Sequence, residues 1–258
     1  MTSLRFRREQ SIIVTATTIN QRFMSRLQTR ILLVLLIMVA ISPGTQALVR
    51  FPFPKLVLLD RDGVINHDVG APGVTSKSQF QLHDDVGAAI AKLKQRGCRV
   101  VVITNQSCVG MGLLEPKGLN EIHEEMQRLL QEEDADATLD QIYFCTAVDN
   151  DNPRKKPNPG MLIEAYSDWN IDASETVIIG DTLTDMQAAK AGGIANRILV
   201  QTGYGLGLMG NQSAQNPPMI VKAINLAESQ SQMGTVTPFA YAQDLPAAVR
   251  WLLDETSR

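Results

Sequence analysis

The feature that most constrains the fold is an alternation of short apolar segments with amphipathic ones, which extends from about residue 55 to residue 204. In the segment "KLVLLD", a continuous apolar run at residues 56–59 leads into an aspartate, as is typical of a strand buried on both faces. It is followed by "DDVGAAIAKLKQRG", which has apolar residues at helical spacing and ends in a glycine. Further strand candidates are "CRVVVITN", "QIYFC", "ETVIIGD" and "NRILVQTG". Such alternation predicts a three-layer α/β fold, in which helices cover both faces of a parallel sheet.

The predicted domain covers residues 51–258, a length sufficient to bury a full core. The alternation fades near residues 205–235, where glycine, asparagine, glutamine and proline are frequent, so we expect a loop insertion there. It resumes in "FAYAQDLPAAVRWLLD", which predicts a short strand and a closing helix.

Residues 1–50 have a different composition and are interpreted as a targeting segment. The first 30 residues carry six arginines and one acid, and residues 31–41 are wholly apolar. Eleven apolar residues are too few to span a bilayer, which needs about 20, but they suit the hydrophobic region of a signal peptide. We expect entry into the secretory route, alone or onward to a plastid, and no stable membrane association after processing. An uncleaved anchor and a mitochondrial presequence are the alternatives.

The mature protein is expected to begin near Leu48. Thr45 and Ala47 are small residues in the positions that signal peptidase reads, and the predicted fold does not need residues 1–47. Sequencing the N-terminus of protein isolated from its native source checks this expectation. A native chain that begins at Met1 or Met24 would contradict it.

The net charge and the cysteines exclude several kinds of partner and cofactor. A formal net charge of −3 provides no basic field for nucleic acid or an anionic membrane. The three cysteines are Cys98, Cys108 and Cys145, and none of them stands in a C-x-x-C pair. Neither a disulfide framework nor a zinc site is therefore predicted.

Polar side chains follow the predicted strands at the edge where parallel sheets bind ligands. They are Asp60 and Asp62 after the first strand, Thr104 and Asn105 after the second, Lys155 and Lys156 before the fourth helix, and Asp181 with Asp185 after the fourth strand. Several carboxylates in one crevice require a compensating cation. Oxygen ligands beside an anionic substrate favour Mg²⁺, and lysine with hydroxyl donors completes a site for phosphoryl transfer.

Two carboxylates separated by one residue suggest a division of roles. Asp60 is placed to attack phosphorus and form an aspartyl phosphate, which divides one difficult step into two. Asp62 is placed to protonate the leaving oxygen and then to activate water.

Four segments resemble the motifs of the haloacid dehalogenase superfamily of aspartate-nucleophile phosphatases: "LLDRDGVIN", "VITNQS", "KKPNPGM" and "IGDTLTDMQAA". They occur in the family's order and cover about residues 55–204. More narrowly, they are similar to the branch that contains heptose-bisphosphate and histidinol-phosphate phosphatases. The resemblance implies a Rossmann-like fold and a Mg²⁺-dependent phosphoric monoester hydrolase. It also implies a small phosphorylated metabolite as substrate, a sugar phosphate or bisphosphate.

The resemblance implies the composition of the metal site. Asp60 would be both nucleophile and Mg²⁺ ligand, and Asp62 would bind the metal through its backbone carbonyl. Asp181 would complete the site, and Asp185 would support it from behind, although acids also favour that position at any helix N-terminus.

It likewise implies the residues that bind substrate. Thr104 and Asn105 would hold the phosphoryl group, and Lys156 would balance its charge. Lys155 stands where the family has a substrate-recognising arginine, and Asp68 lies in an early loop that touches substrate. With Arg154, the two lysines are expected to form a basic cluster that suits a second anionic group.

The chain also departs from the family pattern. The segment "CTAVDNDNPRKKP" lacks the cysteine and histidine ligands of the zinc loop found in many members, so no structural zinc is expected. Cys108, Met111 and Thr182 replace residues common around the leaving group, which affects the substrate more than the reaction. No cap domain fits between residues 63 and 84 or between 110 and 141, so we predict a capless, open site.

The sequence leaves three alternatives to a sugar-phosphate phosphatase. A polynucleotide 3′-phosphatase would need a basic stripe, and none is readable in the sequence. A histidinol-phosphate phosphatase shares the motifs. A non-enzymatic binding domain would be expected to have lost Asp60 or Lys156, and both are present. We expect a monomer that does not bind nucleic acid.

Overall fold

The structure is a computed structural model that describes residues 53–209 and 240–257. Six parallel strands form one sheet in the order β3-β2-β1-β4-β5-β6. They are β1 (Leu56–Leu59), β2 (Arg99–Asn105), β3 (Gln141–Cys145), β4 (Thr176–Gly180), β5 (Asn196–Val200) and β6 (Ala240–Ala242). The predicted parallel sheet is confirmed.

Seven helices accompany the sheet in the described part of the chain. They are α1 (Val86–Gln95), α2 (Ser107–Gly110), α3 (Pro116–Glu133), α4 (Gly160–Asp168), α5 (Leu183–Ala191), α6 (Gly205–Met209) and α7 (Leu245–Ser257). Pro116 occupies the first turn of α3, where its missing N–H is tolerated.

Strand β1 shows why the sheet needs a helical layer on each face. Its four side chains are fully buried, and successive residues point to opposite faces. Val57 and Leu59 join the core formed with α1, α3 and α7, whereas Leu56 and Leu58 join the core formed with α4 and α5. Each such burial stabilises the fold by about 1.5–3 kcal/mol. The expected three layers are confirmed.

The topology brings the functional strand ends together. The chain proceeds from β1 through β2 to β3 in one direction and then through β4 to β6 in the other. The order reverses between β1 and β4, and loops diverge at such a switch point to leave a crevice at the carboxyl ends of the strands. Leu59 pairs with both Val102 and Ile179, so the residues that follow these three strands lie side by side.

The connections around the crevice are short. The β1–α1 connection contains only a 3₁₀ turn (Lys77–Gln79), and the β2–β3 connection contains only α2 and α3. Both lie wholly within residues 53–209, and neither holds a cap domain, as expected.

The region near residues 205–235 begins differently from the expected loop. Residues 205–209 form α6. At its start, the Gly205 and Leu206 N–H groups donate hydrogen bonds to the carbonyls of Thr202 and Gln201, respectively. The rest of the predicted insertion and the predicted targeting segment lie outside the described residues. Within the ranges that are described, no helix is both long and apolar enough to cross a membrane.

Candidate active site

A cavity of about 140 Å³ opens at the carboxyl edge of the sheet. It is lined by six of the side chains named from the sequence: Asp60, Asp62, Asp68, Thr104, Asn105 and Lys156. Thr182, Thr184 and Tyr204 line it as well. The cavity thus joins residues from five segments that lie far apart in the sequence.

Lys156 is at the centre of the buried charges. Its Nζ donates to Asp60 Oδ1 at 2.8 Å, to Asp185 Oδ1 at 2.6 Å and to the Ile103 carbonyl at 2.8 Å. Burial alone would lower the pKa of Lys156, but the two carboxylates outweigh it and raise the pKa above its usual range. The lysine is therefore a permanent cation with all three protons bonded.

One lysine does not neutralise the acids around it. One ligand atom each from Asp60, Asp181 and Asp185 lie within 4.8 Å of one another. Burial, followed by the charge of Asp185, raises the pKa of Asp60 to about 7. Burial and the charges of Asp60 and Asp185 raise the pKa of Asp181 to about 8. Asp60 and Asp181 can both be fully ionised at neutral pH only if a further cation joins them.

The surroundings of Asp181 fit such a cation. Its Oδ1 is buried and makes no hydrogen bond among the described residues, whereas its Oδ2 accepts the Tyr204 N–H at 2.9 Å. Gly63 (φ +84°) and Gly203 (φ +57°) flank the carboxylate, and a Cβ on either would come within 2.3 Å of Asp181 Oδ2. The two glycines let the backbone approach the carboxylate closely, and a donor set made only of oxygens suits Mg²⁺.

Asp185 has two structural partners and no free carboxylate oxygen. Oδ1 holds Lys156, and Oδ2 accepts the Thr182 N–H at 3.0 Å and the Thr182 hydroxyl at 2.5 Å. Thr182 and Asp185 form a capping box at the start of α5. Asp185 therefore combines the two interpretations drawn from the sequence, since it caps a helix and also positions the site lysine.

The side chain of Asp62 is held by three neighbours. Arg61 Nη2 donates to both carboxylate oxygens at 3.0 and 2.8 Å, and the amides of Asn66 and Gln106 add bonds at 3.0 and 2.9 Å. Burial raises the pKa of Asp62, but the guanidinium and these hydrogen bonds outweigh it and lower the pKa below its ordinary value. Asp62 is thus oriented as a carboxylate, and its backbone carbonyl remains the predicted metal contact.

Arg61 is fully buried, and its role in holding Asp62 was not predicted from the sequence. Its Nη1 donates to His123 Nε2 at 3.4 Å, across from α3. Burial and the Arg61 charge lower the pKa of His123 to about 4, so the imidazole is neutral and can accept this bond. His123 is therefore a buried histidine whose ring nitrogen has a hydrogen-bond partner.

Asn105 holds the lysine loop in place. Its side-chain amide donates to the Lys156 carbonyl at 2.9 Å, and its side-chain oxygen accepts the Lys156 N–H at 3.0 Å. The amide is therefore engaged with the backbone beside Lys156. The predicted contact of Asn105 with a phosphoryl group stays a prediction.

The expected basic cluster does not converge on the cavity. Lys155 Nζ donates to the Val148 carbonyl at 2.5 Å, and Arg154 pairs with Glu164 at 3.3 Å. Only Lys156 of the three lines the cavity. The reason is the turn that contains them, which directs consecutive side chains to different sides. Sequence adjacency alone had suggested a common direction.

A model of the haloacid dehalogenase-like hydrolase family matches residues 68–193. The D-glycero-beta-D-manno-heptose-1,7-bisphosphate 7-phosphatase of Haemophilus ducreyi is 34% identical over 167 residues, which cover 62% of this chain and 90% of the relative. The chain belongs to the haloacid dehalogenase-like hydrolases. The enzyme of the same name from Neisseria meningitidis serogroup A is 40% identical over 152 residues, covering 58% of this chain and 79% of the relative.

A solved structure agrees with this membership. The D,D-heptose 1,7-bisphosphate phosphatase of B. bronchiseptica, complexed with magnesium and phosphate, is 32% identical with a TM-score of 0.64. The similarity covers 78% of this chain and 99% of the solved one. The resemblance drawn from the four motifs is confirmed, and so is the Rossmann-like fold of this hydrolase family. The chain is a phosphatase of that family.

Four residues of this haloacid dehalogenase-like site were not singled out from the sequence. Arg61 and Gln106 lie inside the motifs "LLDRDG" and "TNQS", so their positions carried a signal that was not used. Thr184 lies in the first turn of α5, beside the motif residue Asp185. Tyr204 follows β5, and the rule that ligands bind at strand ends could have identified it.

Proposed function

We propose that this chain is a Mg²⁺-dependent phosphatase that removes a phosphoryl group from a sugar phosphate or bisphosphate through an aspartyl-phosphate intermediate. The observation that supports it most is the contact of Lys156 Nζ with Asp60 Oδ1, next to the Asp181 oxygen that lacks a partner. This arrangement places a fixed nucleophile and a cation beside a buried carboxylate oxygen that could bind a metal. The relatives named for heptose bisphosphate support the choice of substrate class.

In the first half of the proposed reaction, an Asp60 oxygen forms a bond to phosphorus while the bond from phosphorus to the leaving oxygen breaks. Asp62 gives its proton to that oxygen. The doubly charged phosphate raises the pKa of a neighbouring carboxyl, which favours the protonated form of Asp62 once substrate is bound.

In the second half, Asp62 is a carboxylate again, the form that Arg61 stabilises. It takes a proton from a water molecule whose oxygen attacks phosphorus, and the bond to Asp60 breaks to release inorganic phosphate. Lys156 stays bonded to Asp60 and Asp185 and balances negative charge in both halves.

The metal would be held by Asp60, Asp181 and the backbone carbonyl of Asp62. When bound, Mg²⁺ offsets the repulsion between the carboxylates and draws charge from the phosphoryl oxygens. The chain's own residues still provide the nucleophile, the proton and the lysine.

Activity is expected to disappear with EDTA and to return with Mg²⁺, since the paired carboxylates cannot all remain charged without a cation. Purified protein is expected to contain no stoichiometric zinc, because the cysteine and histidine ligands of the zinc loop are missing from the sequence. Phosphate release before and after chelation, together with elemental analysis, checks both statements. Full activity in EDTA, or one zinc per chain, would contradict them.

The substrate class is tested by comparing kcat/KM for heptose 1,7-bisphosphate, hexose bisphosphates, histidinol phosphate and a 3′-phosphorylated oligonucleotide. A sugar phosphate or bisphosphate is expected to give the highest value. If the oligonucleotide exceeds it tenfold, about 1.4 kcal/mol of transition-state preference, the proposal is wrong about the substrate. If histidinol phosphate exceeds it, the alternative activity of the same branch is correct.

A further inference from the structure

Tyr204 links the site to the rim of the cavity. Its backbone N–H is bonded to Asp181 Oδ2, and its side chain lines the same cavity as Asp60 and Asp68. The residue is 55% exposed, which is unusual for a large aromatic side chain held by its own backbone beside a buried charge cluster. The ring is thus presented at the mouth of the site.

The Tyr204 hydroxyl is held by the loop that follows β1. It donates a hydrogen bond to the Asp68 carboxylate, whose charge and bond raise the pKa of Tyr204. Asp68 is itself fixed, because its Oδ1 accepts the Gly70 N–H at 3.2 Å. Two loops from different strands therefore meet at the rim through this tyrosine and aspartate.

The charges of the cavity limit what can lie beside the scissile phosphate. Among the described residues that line the cavity, Lys156 is the only cation, and it is buried and bonded to Asp60 and Asp185. The other charged lining groups are Asp60, Asp62 and Asp68. A second anionic group next to the phosphoryl group would face carboxylates, whereas a neutral group with hydroxyls could donate to Asp68.

The small volume of the cavity also indicates that only part of the substrate enters it. Pockets that enclose a whole drug-sized ligand measure roughly 300–1,000 Å³, and this one measures about 140 Å³. It accommodates the phosphoryl group and the atoms beside it, while the rest of the substrate extends over the rim. Tyrosine combines an apolar body with a polar tip, which suits the C–H face and the hydroxyls of a sugar.

We propose that Tyr204 is a specificity-determining residue, whose ring packs against the carbon skeleton of the leaving group while Asp68 accepts a hydrogen bond from one of its hydroxyls. The substrate portion next to the scissile phosphate is then an uncharged polyol, and any second phosphate lies outside the cavity. This inference deepens the proposed function and rests on it for the sugar.

The test compares substrates with and without a ring for the Tyr204 side chain to contact. Heptose 1,7-bisphosphate and p-nitrophenyl phosphate carry one, and acetyl phosphate offers neither a ring nor a hydroxyl. Tyr204→Ala keeps the backbone N–H on Asp181. It is expected to raise KM for heptose 1,7-bisphosphate at least tenfold, with kcat within threefold and KM for acetyl phosphate within twofold. Tyr204→Phe keeps the ring and should show a smaller rise.

The matched control is Leu206→Ala, since Leu206 is 51% exposed and lies two residues further along the chain. It is expected to leave all three KM values unchanged. The role of Tyr204 would be overturned if Tyr204→Ala changed KM equally for every substrate. It would also be overturned if Tyr204→Ala left every KM unchanged. If wild-type protein cleaves only the two simple phosphates, the proposed sugar substrate fails. In that case the packing role of Tyr204 is judged only from the KM values for p-nitrophenyl phosphate and acetyl phosphate. A selective rise in KM for the aryl ester in Tyr204→Ala supports the role, and the absence of a selective rise rejects it.

Discussion

Asp60→Asn is expected to abolish phosphatase activity, by roughly four orders of magnitude or more, as the loss of a nucleophile does in other covalent hydrolases. Asparagine keeps the shape of the side chain, and its oxygen can still accept the bonds that Asp60 Oδ1 now accepts from Lys156 and from the Arg61 N–H. The amide cannot form an acyl phosphate at a useful rate. The fold should be retained while the chemistry is lost.

The measurement is phosphate release at saturating Mg²⁺, with thermal unfolding recorded for the same preparation. Asp85→Asn is a matched control, because Asp85 is exposed and has a positive φ (60°) that asparagine tolerates well. The control should keep wild-type activity. If Asp60→Asn retains more than a tenth of the activity, the covalent mechanism is wrong.

Lys156→Met is expected to remove activity and also to destabilise the protein by about 3–5 kcal/mol, the range for breaking a buried ion pair by deleting one partner. Methionine fills a similar volume, but it leaves Asp60 and Asp185 close together with no cation between them. It also leaves the Ile103 carbonyl without its donor. Activity should fall because the nucleophile loses both its position and its compensating charge.

Denaturant unfolding in EDTA measures the stability, and phosphate release in Mg²⁺ measures the activity. Lys117→Met is the control, since the Lys117 side chain is 85% exposed and should matter little. A double variant with Asp185→Asn should recover part of the lost stability, because one of the two unpaired carboxylates is neutralised, yet it should remain inactive. A single variant as stable as wild type would show that the buried lysine is not required to hold the carboxylates.

Much of the fold could be predicted because the pattern that specifies it is local. The continuous apolar run at residues 56–59 already indicated a central strand, and burial of all four side chains confirms it. The onset of α6 at Gly205 was missed, since glycine-rich sequence favours loops. The first hydrogen bonds of the helix are accepted by residues that directly follow β5, so its start depends on where β5 ends.

The order of the four motifs and the identity of their acids and lysine were sufficient to infer a metal-dependent phosphoryl-transfer site. Parallel strands place their carboxyl ends at one edge, so Asp60 and Asp181 had to approach each other. By contrast, the directions of Lys155 and Arg154 could not be predicted, because a turn separates side chains that are adjacent in sequence.

The sequence by itself therefore determined the sheet, the chemistry at its edge and the family, since each depends on residue type and spacing along the chain. Only the tertiary structure decided which partners surround each charge: Arg61 and Gln106 on Asp62, and Asp68 on Tyr204. Arg61 and Asp62 are neighbours in sequence, but their pairing depends on the burial of the guanidinium against His123 from α3. Such contacts join separate loops and elements, so the packing of the whole domain sets them, and no local pattern encodes them.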